Sequence, residues 1–144
     1  MNLSGTSGND GRGRDIGLFV LRMGLGIMFL YHGWPKIVGG PTVWTALGGA
    51  IGTFGIAFWP GFWGFMAAVA EFVGALALIC GLFFRTFCTL MLITMIVAAA
   101  MHLHKGDGLG LASHAIELGI VFLSLIFIGP GRLSLQALIW KPSE

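Results

Sequence analysis

The chain has 144 residues, 56% of them hydrophobic and only 10% charged, with a mean hydropathy of +0.90. A water-soluble domain of this size needs far more polar surface, and a net charge of +2 on scattered lysines and arginines excludes an electrostatic nucleic-acid binder. What remains is an integral membrane protein with room for one compact domain.

Residues 1–15, "MNLSGTSGNDGRGRD", are polar and rich in glycine, serine and asparagine, so a disordered tail is expected there. The apolar run that follows is too long for the core of a signal peptide and has no A-x-A site behind it, so it is expected to stay attached. Helix-length hydropathy and stop signals place four membrane spans at residues 16–35, 63–84, 87–104 and 111–129. Their breaks are Pro35 with Gly39, Gly40 and Pro41, then Arg85 with Thr86, then "HKGDGLG", then "GPGR". Between the first two spans, "PTVWTALGGAIGTFGIAFWPGFW" is apolar but broken by glycines and Pro60, and reads as a short interfacial or re-entrant helix. The predicted fold is therefore all-α, a polytopic membrane four-helix bundle over residues 16–137, with a second tail at 138–144.

Orientation follows from the basic residues. With the N-terminus cytoplasmic, Arg12, Arg14, Arg85, Arg132 and Lys141 lie inside and only Lys36 and Lys105 outside. The tryptophans agree, with Trp34, Trp44, Trp59 and Trp63 at the outer interface and Trp140 at the inner one. Both termini are expected in the cytoplasm, in a prokaryotic plasma membrane.

Ionisable residues inside apolar spans are costly, face the bundle interior by default and mark function. Here they are Arg22, His32, Glu71, His102, His104, His114 and Glu117. Arg22, Gly26, Phe29, Gly33 and Lys36 form one helical stripe, with His32 beside it. Glu71 sits among Gly64, Ala67, Ala68, Gly74 and Ala75, a small-residue face that admits another helix. Helical side chains lean toward their own N-terminus, so His32 and His102 lean into the membrane from the outer side while Glu71 and Glu117 lean up toward them. At ~1.5 Å per residue these four converge on one level. Arg22 leans the other way, which leaves a snorkel to the cytoplasm and a buried pair with Glu71 as equal alternatives.

No metal is expected. His102 and His104 are two apart and face about 200° from each other on a helix, and a three-span ligand set has no sequence signature here. Cys80 and Cys88, eight apart with no C-x-x-C, read as small apolar packing residues. His104, Lys105 and Asp107 read as a solvated loop. A structural polar network that sets helix register is the bland account of the whole cluster. Two carboxylates gathered near two imidazoles favour a functional site.

The stretch "LRMGLGIMFLYHGWPKI", the glutamate in "AAVAEFVGALALICGLFFR", the "HAIEL" of the last span and the closing "GPGRLSL" together resemble the DoxX family of small four-helix membrane proteins, over about residues 16–137. The positions that match are Arg22, His32, Gly33, Lys36, Glu71, Glu117, Gly129 and Gly131, whereas "HLH" and the cysteines lie outside the pattern. The resemblance implies a four-helix bundle associated with membrane redox systems, as in the membrane subunit of thiosulfate:quinone oxidoreductase.

The resulting expectation is a membrane protein that supports a redox process by binding a quinone or similar small molecule in a polar pocket near the outer face. Glu71, Glu117 and His32 carry the proton chemistry, and Arg22, Lys36, His102 and His114 contact the ligand. Electrons come from a partner redox protein, since the chain has no evident carrier of its own; a homo-oligomer is the other expected association. A non-catalytic anchor or assembly subunit and a small-solute carrier are the competing readings.

Overall fold

The computed structural model describes residues 7–140. Helix α1 runs Ser7–Val38, α2 Gly40–Gly48, α3 Pro60–Cys80, α4 Phe84–Lys105, α5 Gly108–Ile128 and α6 Leu135–Ile139, with a 3-10 segment, Gly49–Phe54, after α2. Four of these helices, α1, α3, α4 and α5, are long and apolar enough to cross a membrane. Helix α2 with the 3-10 segment fills the place of the predicted short helix between the first two spans.

Two boundaries differ from expectation for physical reasons. Residues 7–15, predicted as part of a disordered tail, continue α1. Asp15 is buried and its carboxylate accepts from the Arg132 N–H at 3.2 Å, which anchors the helix at the start of its apolar part. Adding turns to an anchored helix needs only propagation, not a new nucleus. Of the second predicted tail, 138–139 belong to α6, and residues 1–6 and 141–144 lie outside the described residues. Pro35, predicted to end the first span, lies inside α1. So close to the helix end it removes a single bond to the preceding turn, and the helix continues to Val38.

The other helix ends follow ordinary chemistry. Pro60 opens α3, where its missing N–H has no partner to lose. Gly81, at φ +66°, ends it, with both Gly81 and Leu82 N–H returning to the Ala77 carbonyl. Ser134 caps α6 by accepting from the Ala137 N–H.

Around the bundle, α1 packs on α3, α3 on α4 and α4 on α5. Phe29 of α1 meets Phe122 of α5 edge to face, 5.3 Å between centroids, and closes the ring. Lipid is as apolar as the core, so close contact rather than water exclusion holds such helices together. Small residues provide it. A Cβ at Gly26 would stand 2.5 Å from Ile79 Cγ1, and at Gly33 3.0 Å from the Phe72 backbone nitrogen. Helix α2 lies directly against α3: a Cβ at Gly48 would fall 1.7 Å from the Pro60 carbonyl oxygen, and at Gly64 1.7 Å from that of Trp44. On the outer surfaces, Thr89, Thr94 and Ser124 donate to carbonyls four residues back, so the hydroxyl protons of these three need nothing from lipid.

Arg22 ties the end of the bundle where α3 ends and α4 begins. It is 1% exposed and donates from Nε to Leu78 O at 2.9 Å, from Nη1 to Pro130 O at 2.7 Å and Leu133 O at 2.8 Å, and from Nη2 to Ile79 O at 3.0 Å. Neither predicted alternative, snorkel or Glu71 pair, is what the structure shows. The carbonyls that end α3 carry the negative pole of that helix and have no partners of their own, so a guanidinium fork finds acceptors nearer than solvent or a carboxylate.

Arg22→Leu should therefore destabilise the protein by on the order of 4 kcal/mol, because several buried acceptors lose a charged donor at roughly 1–3 kcal/mol each. Buried Cys88 provides the readout, its thiol becoming reactive as detergent-solubilised protein unfolds. A loss below ~1 kcal/mol would show that the clamp is not a main support of the fold.

Candidate functional site

The polar centre lies toward the other end of the bundle, near α2. Where Gly33 brings α1 against the backbone of Glu71 and Phe72, the next turn of α1 places Lys36 over Glu71. Lys36 Nζ bonds both carboxylate oxygens, at 2.6 Å to Oε1 and 2.5 Å to Oε2. The directions of the two side chains explain the meeting. Lys36, near the C-terminal end of α1, leans back into the bundle, and Glu71, twelfth residue of α3, leans toward the end from which α3 starts. Above them the Trp44 indole of α2 donates to the Lys36 carbonyl at 2.9 Å, so the short helix roofs the pair.

The two partners are not equally covered. The Glu71 side chain is 5% exposed and that of Lys36 31%. Two of the three ammonium N–H groups serve Glu71, and the third has no acceptor among the described residues. Beside this turn of α1 runs a groove of about 740 Å³ lined by Leu30, Tyr31, His32, Trp34 and Pro35 with Phe72 and Leu76 of α3. The Trp34 ring lies 5.8 Å from that of Phe72, and the His32 ring stands edge to face against Tyr31 at 5.4 Å. His32 is exposed and shares a helical stripe with Phe29 and Lys36. The exposed imidazole of His32 thus lines an apolar groove, and the partly open ammonium of Lys36 follows one turn later on α1 without itself lining it.

The remaining predicted site residues are placed elsewhere. His102, expected to lean toward the glutamates, instead shares a 2.8 Å hydrogen bond from Nδ1 to Asp107 Oδ2 across the α4–α5 turn. That turn is tight, and a carboxylate five residues on is nearer than anything across the bundle. Asp107, read from the sequence as a solvated loop residue, is half-exposed but engaged. Glu117, expected to be shielded from lipid, is exposed, as is His114. Neither has a hydrogen-bond partner among the described residues. The buried face of α5 is Ala112, Ala115, Gly119 and Phe122, which turns Glu117 away from the bundle. Arg22 belongs to the clamp. Of the two cysteines, Cys88 packs in the core and Cys80 is exposed at the end of α3.

Sequence reasoning missed the Lys36–Glu71 pairing itself and the part played by Tyr31, Trp34 and Phe72. The signal that could have found the pair was present. Gly33 one turn before Lys36 and the small residues around Glu71 are the two halves of one close helix crossing. No group of three or more His, Cys, Asp or Glu able to hold a metal ion occurs among the described residues.

Breaking one partner of a buried pair strands a charge, typically at ~3–5 kcal/mol, while replacing both with apolar groups is often near neutral. Partial exposure of Lys36 lowers the figure for this pair. Glu71→Leu and Lys36→Met are each expected to lower stability by on the order of 2 kcal/mol, and the double variant to recover most of that loss. Additive losses would show that the two side chains do not depend on each other.

Comparison with curated proteins and with solved structures finds no match. The DoxX family model matches residues 17–104. This is more than half of the chain, and it contains the Arg22 clamp donor, the Gly33 crossing and both partners of the Lys36–Glu71 pair, while α5 lies beyond it. The chain belongs to the DoxX family.

Proposed function

We propose that this membrane protein supports a redox process by holding a quinone or a similar oxygen-bearing small molecule beside α1, with the polar head at Lys36 and His32 and the apolar remainder in the groove toward Phe72 and Leu76. One observation carries this reading: the ammonium of Lys36 is neutralised by a buried carboxylate yet keeps one N–H without an acceptor among the described residues and about one third of its side chain open. A pair serving only helix register gains nothing from that opening, since an unsatisfied donor is costly in an apolar phase. A carbonyl or phenolate oxygen would satisfy it.

Converting a quinone to its quinol takes up two electrons and two protons, the electrons arriving from a partner protein. For this chain the work is binding and proton supply. Lys36 holds one ligand oxygen and passes it a proton that is replaced from water at the open rim, Glu71 behind it holds the compensating charge, and His32 passes the second proton at the rim, likewise replaced from water. The groove aromatics, Tyr31, Trp34 and Phe72, supply flat apolar surface for a ring. In this reading the end carrying Lys36 faces outward and both termini face the cytoplasm, as the excess of basic residues at the opposite end suggests.

Mass spectrometry of protein purified with its native lipids tests the proposal. Bound quinone in stoichiometric amount is expected in the wild type, a loss of at least about tenfold in His32→Ala and in the Lys36→Met, Glu71→Met double variant, and no loss in Lys105→Ala, a loop-charge control. Cys88 reactivity checks that each variant is folded. A stoichiometric protein partner with no bound small molecule would return the anchor reading. For orientation, Lys105→Cys in a Cys80→Ser background is expected to react with impermeant thiol reagents in intact cells, and Arg132→Cys only with permeant ones. The reverse pattern would place the groove on the cytoplasmic side.

A further inference from the structure

The outward face of α5 presents a problem that one chain cannot solve. Glu117 is the tenth of the 21 residues of α5, ~14 Å from its start and so near the middle of a helix ~31 Å long. The other charged residues deep in the spans are engaged, Arg22 with four carbonyls and Lys36 with Glu71. Glu117 is exposed at mid-span with no hydrogen-bond partner among the described residues, in a helix with no other charged residue. A carboxylate facing hydrocarbon is costly, so such groups are found against protein or water.

His114, exposed and three residues earlier, lies one turn away on the same side of α5. Below Glu117 the same stripe continues through Ile120 and Ser124, and the Ser124 hydroxyl is already satisfied by its own helix. The face therefore carries one unused donor and one unused acceptor, three positions apart, on an otherwise apolar strip.

We infer that this strip is a two-fold contact between two copies of the chain, in which His114 of each α5 donates to Glu117 of the other. Two copies inserted in the same orientation are related by an axis along the membrane normal, so their α5 helices run parallel and equal residues lie at equal depth. His114 of one copy is then offset from Glu117 of the other by three residues, ~4.5 Å, which the two side chains can span. Symmetry makes the bond twice, and both polar groups on the strip are satisfied without any other chain. A different partner helix would have to bring its own donor for Glu117 and its own acceptor for His114. The inference is independent of what the groove between α1 and α3 holds.

The test is disulfide cross-linking in native membranes, with the full chain in a Cys80→Ser background. Ser124→Cys on the α5 strip is expected to give at least about ten times more cross-linked dimer than Ile96→Cys, an exposed position on α4. Adding Glu117→Leu should lower the dimer at Ser124→Cys about tenfold while Cys88 stays unreactive, which shows an intact fold. The exchanged variant, His114→Glu with Glu117→His, should restore it. Equal cross-linking at the two positions, a wild-type monomer in lipid nanodiscs, a cross-link to a different protein, an unchanged dimer in Glu117→Leu or no restoration on exchange would each overturn the inference.

Discussion

Everything at one end of this bundle hangs on a single guanidinium. Arg22 is fully buried and donates to carbonyls from two separate stretches of chain, the end of α3 and the turn that follows α5. In the same turn, the Arg132 N–H is held by Asp15, also from α1. One helix thus grips the C-terminal turn from two sides and caps its neighbour as well. The arrangement suits a membrane protein, because the carbonyls that end a helix near hydrocarbon have no water to turn to. Arginine suits it better than lysine, since its donors lie in a fixed planar fork and can reach several acceptors together. The Phe84 ring, 6.0 Å from the guanidinium carbon, covers what the carbonyls leave.

With that end secured, the other end has room for a different kind of polar group. The Lys36–Glu71 pair is held by helix crossing rather than by capping, and its partners are side chains rather than backbone. Both sites use a cation from α1, but they differ in what remains available. Arg22 makes four hydrogen bonds and is 1% exposed, whereas Lys36 makes two and keeps about a third of its side chain open. That difference separates a structural cation from a candidate binding one. The roof of α2, locked on α3 by Gly48 and Gly64 and on α1 by Trp44, holds the geometry without sealing it.

The α5 helix shows the opposite distribution. Its inner face is wholly small or apolar, and its two ionisable residues point away from the bundle. A membrane helix with a carboxylate on its outside is incomplete as a monomer in a way that an exposed leucine or phenylalanine is not. The chain therefore has two polar regions with different demands, a paired one between α1 and α3 and an unpaired one on the outward face of α5.

The sequence by itself determined the class, the number of spans, the short helix between the first two, and the burial of Glu71 among small residues. Each depends on information local to a stretch of chain: length and hydropathy against the thickness of a bilayer, and the 3.6-residue repeat that puts Gly64, Ala68, Glu71 and Ala75 on one side. The Arg22, Gly26, Phe29, Gly33 and Lys36 stripe was legible for the same reason. Which partner each ionisable residue takes was decided only by tertiary structure. Arg22 met carbonyls of residues 130 and 133, more than a hundred positions away, and no periodicity within α1 reports where that turn returns. Lys36 rather than His32 or His102 met Glu71, because the Gly33 crossing fixes the offset of α1 against α3 to within one turn. Glu117 turned outward because Ala112, Ala115, Gly119 and Phe122 provide a closer-packing face on the same helix. Depth along a helix can be counted from sequence, but rotation about its axis against a neighbour is fixed only when both surfaces are present.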